Sequence, residues 1–165
     1  MSHAVMTADG FLTLGSDRYP ACFGRAGITR EKEEGDFATP VGLLPLRRVL
    51  YRADRLAAPR TVLPLEPLGP RDGWCDDPKD PAYNRMVRLP YAGRHEALWR
   101  DDAVYDLIGV LGWNDSPVAS GRGSAIFLHV TTPDRAPTAG CIALSLDHLR
   151  EVLAKGLTGI EVYGA

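Results

Sequence analysis

The chain has 165 residues, enough for one domain with its own core, since folding at this size typically buries about 68–70% of the unfolded surface. Hydrophobic residues make up 45% and charged residues 24%, values that exclude a disordered tail, a collagen-like repeat and a membrane protein as the overall class. The net charge of −2 supplies no general basic field for nucleic acid or an anionic membrane, although basic residues gather between Arg47 and Arg60.

The opening MSHAVMTADG has neither a basic region nor a long apolar one, and Asp9 interrupts it early. No signal peptide is expected there, which predicts a cytoplasmic chain or one whose export signal has been removed. Nor does any run approach the ~18 apolar residues of a spanning helix. A first strand is predicted between Gly10 and Gly15, after an Asp9-Gly10 turn, and others over residues 43–51, 86–89, 104–111, 124–130 and 159–163. Between Pro59 and Asp80 the prolines, glycines and Asp-rich turns predict a long irregular crossing within a single domain, 1–165. Near the end, Ser145 caps a helix whose stripe is Leu146, Leu149, Val152 and Leu153, and Gly156 stops it. With 17 glycines and 13 prolines leaving few places for longer helices, the expected class is mainly β with one or two short helices.

Three cysteines, Cys22, Cys75 and Cys141, are too few, too far apart and odd in number for a disulfide framework or a paired CxxC zinc site. Cys22 and Cys75 have no nearby His or Cys and read as structural, and His95 and His148 read as surface residues. Chemistry concentrates instead between Ser124 and Leu144. An apolar strand ends in His129, a polar loop follows, and Thr138-Ala-Gly140-Cys141 leads back into apolar sequence. A thiol near its reference pKa of ~8.5 is only a few per cent ionised at neutral pH, so a nucleophilic Cys141 needs a base such as His129. An activated Cys141 of this kind is expected to alkylate faster than a free thiol at pH 6–7. Glycine before the nucleophile permits a tight turn and makes the Gly140 and Cys141 amides candidates for holding an oxyanion. The same residues also suit a small buried cysteine beside a satisfied strand-end histidine.

The segment Phe127-Leu-His129 … Pro137-Thr138-Ala-Gly140-Cys141-Ile resembles the active-site signature of the L,D-transpeptidase (YkuD-domain) family, a His, a loop and then [Ser/Thr]-x-Gly-Cys-[Ile/Val]. Gly24-Arg-Ala-Gly27 and Thr39-Pro40-Val-Gly42 resemble its earlier elements, as do the stretches around Tyr83-Asn84, Trp99 and Trp113-Asn114, so the likeness runs from Gly24 to the C-terminus. It implies the family's β-sandwich or barrel and an enzyme that joins peptidoglycan stem peptides through a Cys141 thioester. His129 is then base and acid, its other ring nitrogen held by a carbonyl near Val130. No metal and no organic cofactor enter, and the implied partners are donor and acceptor stems, without nucleic acid or a membrane span. Peptidoglycan as substrate implies the periplasm or cell envelope.

Thr138, Arg25, Thr39, Tyr83, Trp113 and Arg122 are the candidate substrate-binding residues. The arginines offer carboxylate forks, and the rest are cleft wall or ordinary turn and core. Two departures from the family pattern stand out: Ala139 and Ala143 occupy positions where many members carry a histidine and an arginine or asparagine. The loop from His129 to Cys141 is also short. Trimming of stems by the same Cys/His site, a wall-binding module with an inert Cys141 and a redox-sensing thiol are the competing functions.

Overall fold

The computed structural model describes residues 2–164. In chain order it contains β1 (Ser2–Thr7), β2 (Phe11–Leu14), β3 (Asp17–Pro20), β4 (Ile28–Thr29), β5 (Thr39–Pro40), β6 (Gly42–Tyr51), β7 (Leu65–Pro67), β8 (Asp72–Cys75), β9 (Met86–Arg88), β10 (His95–Ala97), β11 (Leu107–Leu111), β12 (Phe127–Val130), β13 (Ile142–Leu144), α1 (Leu146–Ala154) and β14 (Leu157–Val162). The fold is mainly β, with one short helix among the described residues.

One sheet runs β13-β12-β11-β6-β14-β1-β2-β3, with β7 added alongside β6. Its two ends nearly meet. Cys22, two residues beyond β3, exchanges backbone hydrogen bonds with Ala143 of β13, both at 2.9 Å, so the sheet curls into an almost closed barrel that leaves little bare edge. The alternation of the strands sends Ala4, Met6, Leu12, Leu14, Leu44, Leu46, Leu128 and Ile160 inward. A second cluster around Leu50, Trp74, Leu98, Tyr105, Ile108 and Phe127 fills the space beneath a small side sheet, β10-β8-β9.

The helix forms where its stripe and caps predict. Ser145 Oγ accepts the His148 amide at 3.3 Å, Leu149, Val152 and Leu153 are buried, and Gly156 leaves the helix at φ +91°. It packs against β14 and β12, each buried leucine contributing about 1.5–3 kcal/mol of apolar burial. His148 is half-buried rather than on the surface, edge-on to Tyr19 at 5.1 Å.

Other elements depart from expectation for local reasons. The strand predicted from residue 104 begins at Leu107, because Asp106 N–H turns back onto Ala103 O at 3.1 Å. The one predicted from 124 begins at Phe127, because Ala125 sits at φ +54°, outside the extended region. The Pro59-to-Asp80 crossing contains β7 and β8, which pair with β6 and with β9 and β10. No helix among the described residues is long and apolar enough to cross a membrane.

Candidate active site

β12 and β13 lie side by side in parallel, with Leu128 opposite Ile142 and His129 opposite Ala143. This register carries the chain from the histidine-bearing strand back to Cys141, the residue just before β13. Both side chains open onto one cavity of about 330 Å3, between the 131–139 loop, residues 32–37 and the segment from Glu96 to Tyr105.

Cys141 is held by backbone. Phe127 N–H donates to its Sγ at 3.3 Å, and the thiol donates to Ala125 O at 3.2 Å. Burial pushes the thiol up to about 12, with the nearby Glu96 carboxylate adding to the rise and Lys32 opposing it. His129 is 8% exposed, and burial drives its imidazole down to about 4 against the opposing pull of the Val130 carbonyl. Nδ1 lies 3.0 Å from Val130 O, and since a carbonyl only accepts, Nδ1 carries the proton and Nε2 is left as the basic nitrogen. The Val130 carbonyl is the one that the family resemblance implies. The Tyr105 ring stands edge-on to the imidazole at 5.5 Å, and its hydroxyl donates to Glu96 Oε1 at 2.6 Å.

At rest the site is therefore a neutral thiol beside a neutral imidazole. With the thiol raised by burial and Lys32 offsetting only part of that rise, slow alkylation of Cys141 is expected at pH 6–7 in place of the rapid labelling of an activated thiol. The histidine also ties stability to pH. Between pH 6.5 and about 4 the unfolded chain takes up a proton at this position that the folded chain refuses. Stability fully present above pH 6.5 thus falls as the pH drops through that window, by about 3 kcal/mol in all. Denaturant titrations at pH 7 and pH 4 should show this loss in the native chain and a distinctly smaller one in His129→Asn; equal losses would contradict it.

The turn before Cys141 is built by two threonines. Thr138 Oγ1 donates to Cys141 O at 2.6 Å and accepts Gly140 N–H at 3.1 Å, while Thr39 Oγ1 donates to Gly140 O at 2.8 Å and accepts Gly24 N–H at 2.9 Å. Gly140 stands at φ +141°, and a Cβ there would lie 3.0 Å from Ala38 O. Of the two amides expected at an oxyanion, that of Gly140 is thus already bonded.

The candidate substrate residues separate. Thr138 lines the cavity. Thr39 is fully buried and acts on the turn from behind. Arg25 faces a neighbouring depression and reaches the cavity only through the ring of Phe37, 5.6 Å away. Trp113 and Arg122 face a third depression, where the indole N–H donates to Arg122 O at 2.8 Å. Tyr83 is buried and donates to Glu34 Oε1 at 2.7 Å. None of these five lines the Cys141 cavity: hydrogen bonds occupy the polar tips of Thr39, Tyr83 and Trp113, and Arg25 and Arg122 belong to the other depressions.

The cavity is lined instead by Lys32, Glu34, Asp76, Glu96, Arg100 and Tyr105, alongside Ala139 and Ala143. None of the charged ones is among the residues that the sequence singles out. The sequence signal was the Lys32-Glu-Glu-Gly-Asp36 run just ahead of Thr39-Pro40. Lys32 is 4% exposed and bonded to Asp36 at 2.5 Å, an unusual burial for a lysine.

The profile of the YkuD L,D-transpeptidase catalytic domain matches residues 11–163. Solved structures similar to the chain include L,D-transpeptidase 1 of Mycobacterium tuberculosis, at 14% identity and TM-score 0.41, over 99% of this chain and 62% of that one. Another is the helical cell shape determining protein Pgp2 of Campylobacter jejuni, at 13% identity and TM-score 0.47, over 99% of this chain and 47% of that one. The chain thus spans roughly three fifths of the first and half of the second. No curated protein matches it significantly. With the profile covering nearly its whole length, the chain belongs to the YkuD L,D-transpeptidase catalytic-domain family.

Proposed function

We propose that the chain is an L,D-transpeptidase that crosslinks peptidoglycan stem peptides through a thioester on Cys141. The observation that carries this reading is the pairing of Cys141 with a neutral His129 in one cavity, the histidine's Nδ1 proton committed to Val130 O at 3.0 Å. As Sγ attacks the carbonyl carbon of the donor stem, its proton passes to Nε2 of His129, and the oxyanion forms beside the turn of Gly140 and Cys141. Collapse breaks the C–N bond, and the imidazolium gives its proton to the departing amine. The acceptor amine then attacks the thioester while His129 takes its proton, and the thiol leaves with that proton restored. Because the resting thiol is neutral, attack and proton transfer are concerted, and water in place of the amine gives trimming.

Peptidoglycan lies outside the cytoplasmic membrane, so this reading assigns the enzyme to the periplasm or cell envelope. The test is incubation with muropeptide monomers bearing tripeptide, tetrapeptide or pentapeptide stems, beside Cys141→Ala, with mass spectrometry of the products. Dimers that require Cys141 are the expected result. Shortened monomers without dimers replace transfer by hydrolysis, and unchanged monomers overturn both.

A further inference from the structure

The thiol's surroundings lead back, through Ala125 of the cavity wall, to Asn84 outside it. Ala125, whose carbonyl accepts the Cys141 thiol at 3.2 Å, is a non-glycine residue at φ +54°, a conformation that persists only when neighbours hold it. Its N–H donates to Asn84 Oδ1 at 3.0 Å. Asn84 is 6% exposed and itself at φ +58°, where asparagine is tolerated better than most residues. Its Oδ1 also accepts Trp74 Nε1–H at 3.0 Å, and its Nδ2 donates to Trp113 O and Asn114 O, each at 2.8 Å. All four hydrogen-bonding capacities of the amide are used, which fixes its orientation. Phe127, the thiol's other backbone partner, is anchored separately by pairing with Val110 in β11.

We infer that Asn84 is a positioning residue for the nucleophile: by pinning the Ala125 amide it sets the carbonyl that receives the Cys141 thiol proton. The inference rests on the reading of Cys141 as nucleophile. Asn84 touches no reacting atom. It acts through one peptide unit, keeping the thiol protonated and its sulfur in a fixed place until substrate enters. The other side chains around that sulfur, Lys32, Glu96, Tyr105 and His129, belong to other segments, and Asn84 makes its side-chain hydrogen bonds elsewhere, to Ala125, Trp74, Trp113 and Asn114.

Removing the clamp frees the carbonyl and takes away a hydrogen bond to the neutral thiol, which favours the thiolate. The experiment is site-resolved iodoacetamide labelling of the full chain from pH 7 to 10, read by peptide mass spectrometry. In Asn84→Gly, which keeps the backbone conformation, the Cys141 rate at a given pH should rise about tenfold, its pH profile moving down by about one unit. Cys22 and Cys75 should label as in the native chain. An unchanged Cys141 rate in Asn84→Gly overturns the inference, as does an equal rise at all three cysteines, which marks general loosening. Amide hydrogen exchange on the native chain tests the same bond without a variant: Ala125 N–H should be strongly protected, and rapid exchange overturns the inference. Both measurements read the thiol whether or not crosslinks form, so a failure of the transpeptidase reading registers separately in the muropeptide assay.

Discussion

His129→Asn is expected to slow turnover of stem peptides by about 10²–10⁴-fold, the usual worth of a positioned acid–base group. The substitution isolates the base. Asparagine places an amide N–H where Nδ1 stands, so the bond to Val130 O, 3.0 Å in the native chain, survives, while the nitrogen corresponding to Nε2 is lost. A burial that holds the native imidazole near 4 keeps it unprotonated, and so available as a base, throughout the neutral range. The cysteine cannot compensate, since a thiol held near 12 does not ionise by itself at neutral pH. Initial rates with a muropeptide donor should therefore fall mainly in kcat. A variant with near-native kcat would remove His129 from the chemistry.

Gly140→Ala should be nearly as damaging for a different reason. A side chain at φ +141° costs about 1–3 kcal/mol in backbone strain, and its Cβ would press on Ala38 O at 3.0 Å, a backbone atom with little room to yield. The turn can relieve that contact only by moving, yet Thr39 Oγ1 holds Gly140 O at 2.8 Å and Thr138 Oγ1 holds Cys141 O at 2.6 Å. Whatever shifts therefore shifts Cys141. A displacement on the order of 1 Å costs about 10²-fold in rate, and the strain should lower Tm by roughly 5 °C. Thermal melts and initial rates check both effects, and a variant native in both would show that the turn has slack.

The placement of these two residues was legible in the sequence because it is local: a histidine closing an apolar strand, and a glycine-cysteine step before another. The Ser145 cap and the leucine stripe of α1 were equally local. The barrel's closure was not, since it depends on Cys22 meeting Ala143 across the whole chain, a pairing that no short pattern encodes. β8 was hidden within a Pro- and Gly-rich stretch and is stabilised by β9 and β10 rather than by its own propensity. The same long-range folding buries Lys32 and lines the cavity with Glu34 and Glu96, charges that composition assigns to the surface. It also turns Arg25 and Arg122 toward other depressions.

The most direct test of the central claim is the intact mass of the protein after brief exposure to a donor muropeptide without an acceptor. A covalent adduct of acyl-donor mass, mapped to Cys141, released by hydroxylamine and absent from Cys141→Ala, is the result that a thioester mechanism predicts. Crosslinked product forming with no adduct on Cys141, or with Cys141→Ala as active as the native chain, would contradict it.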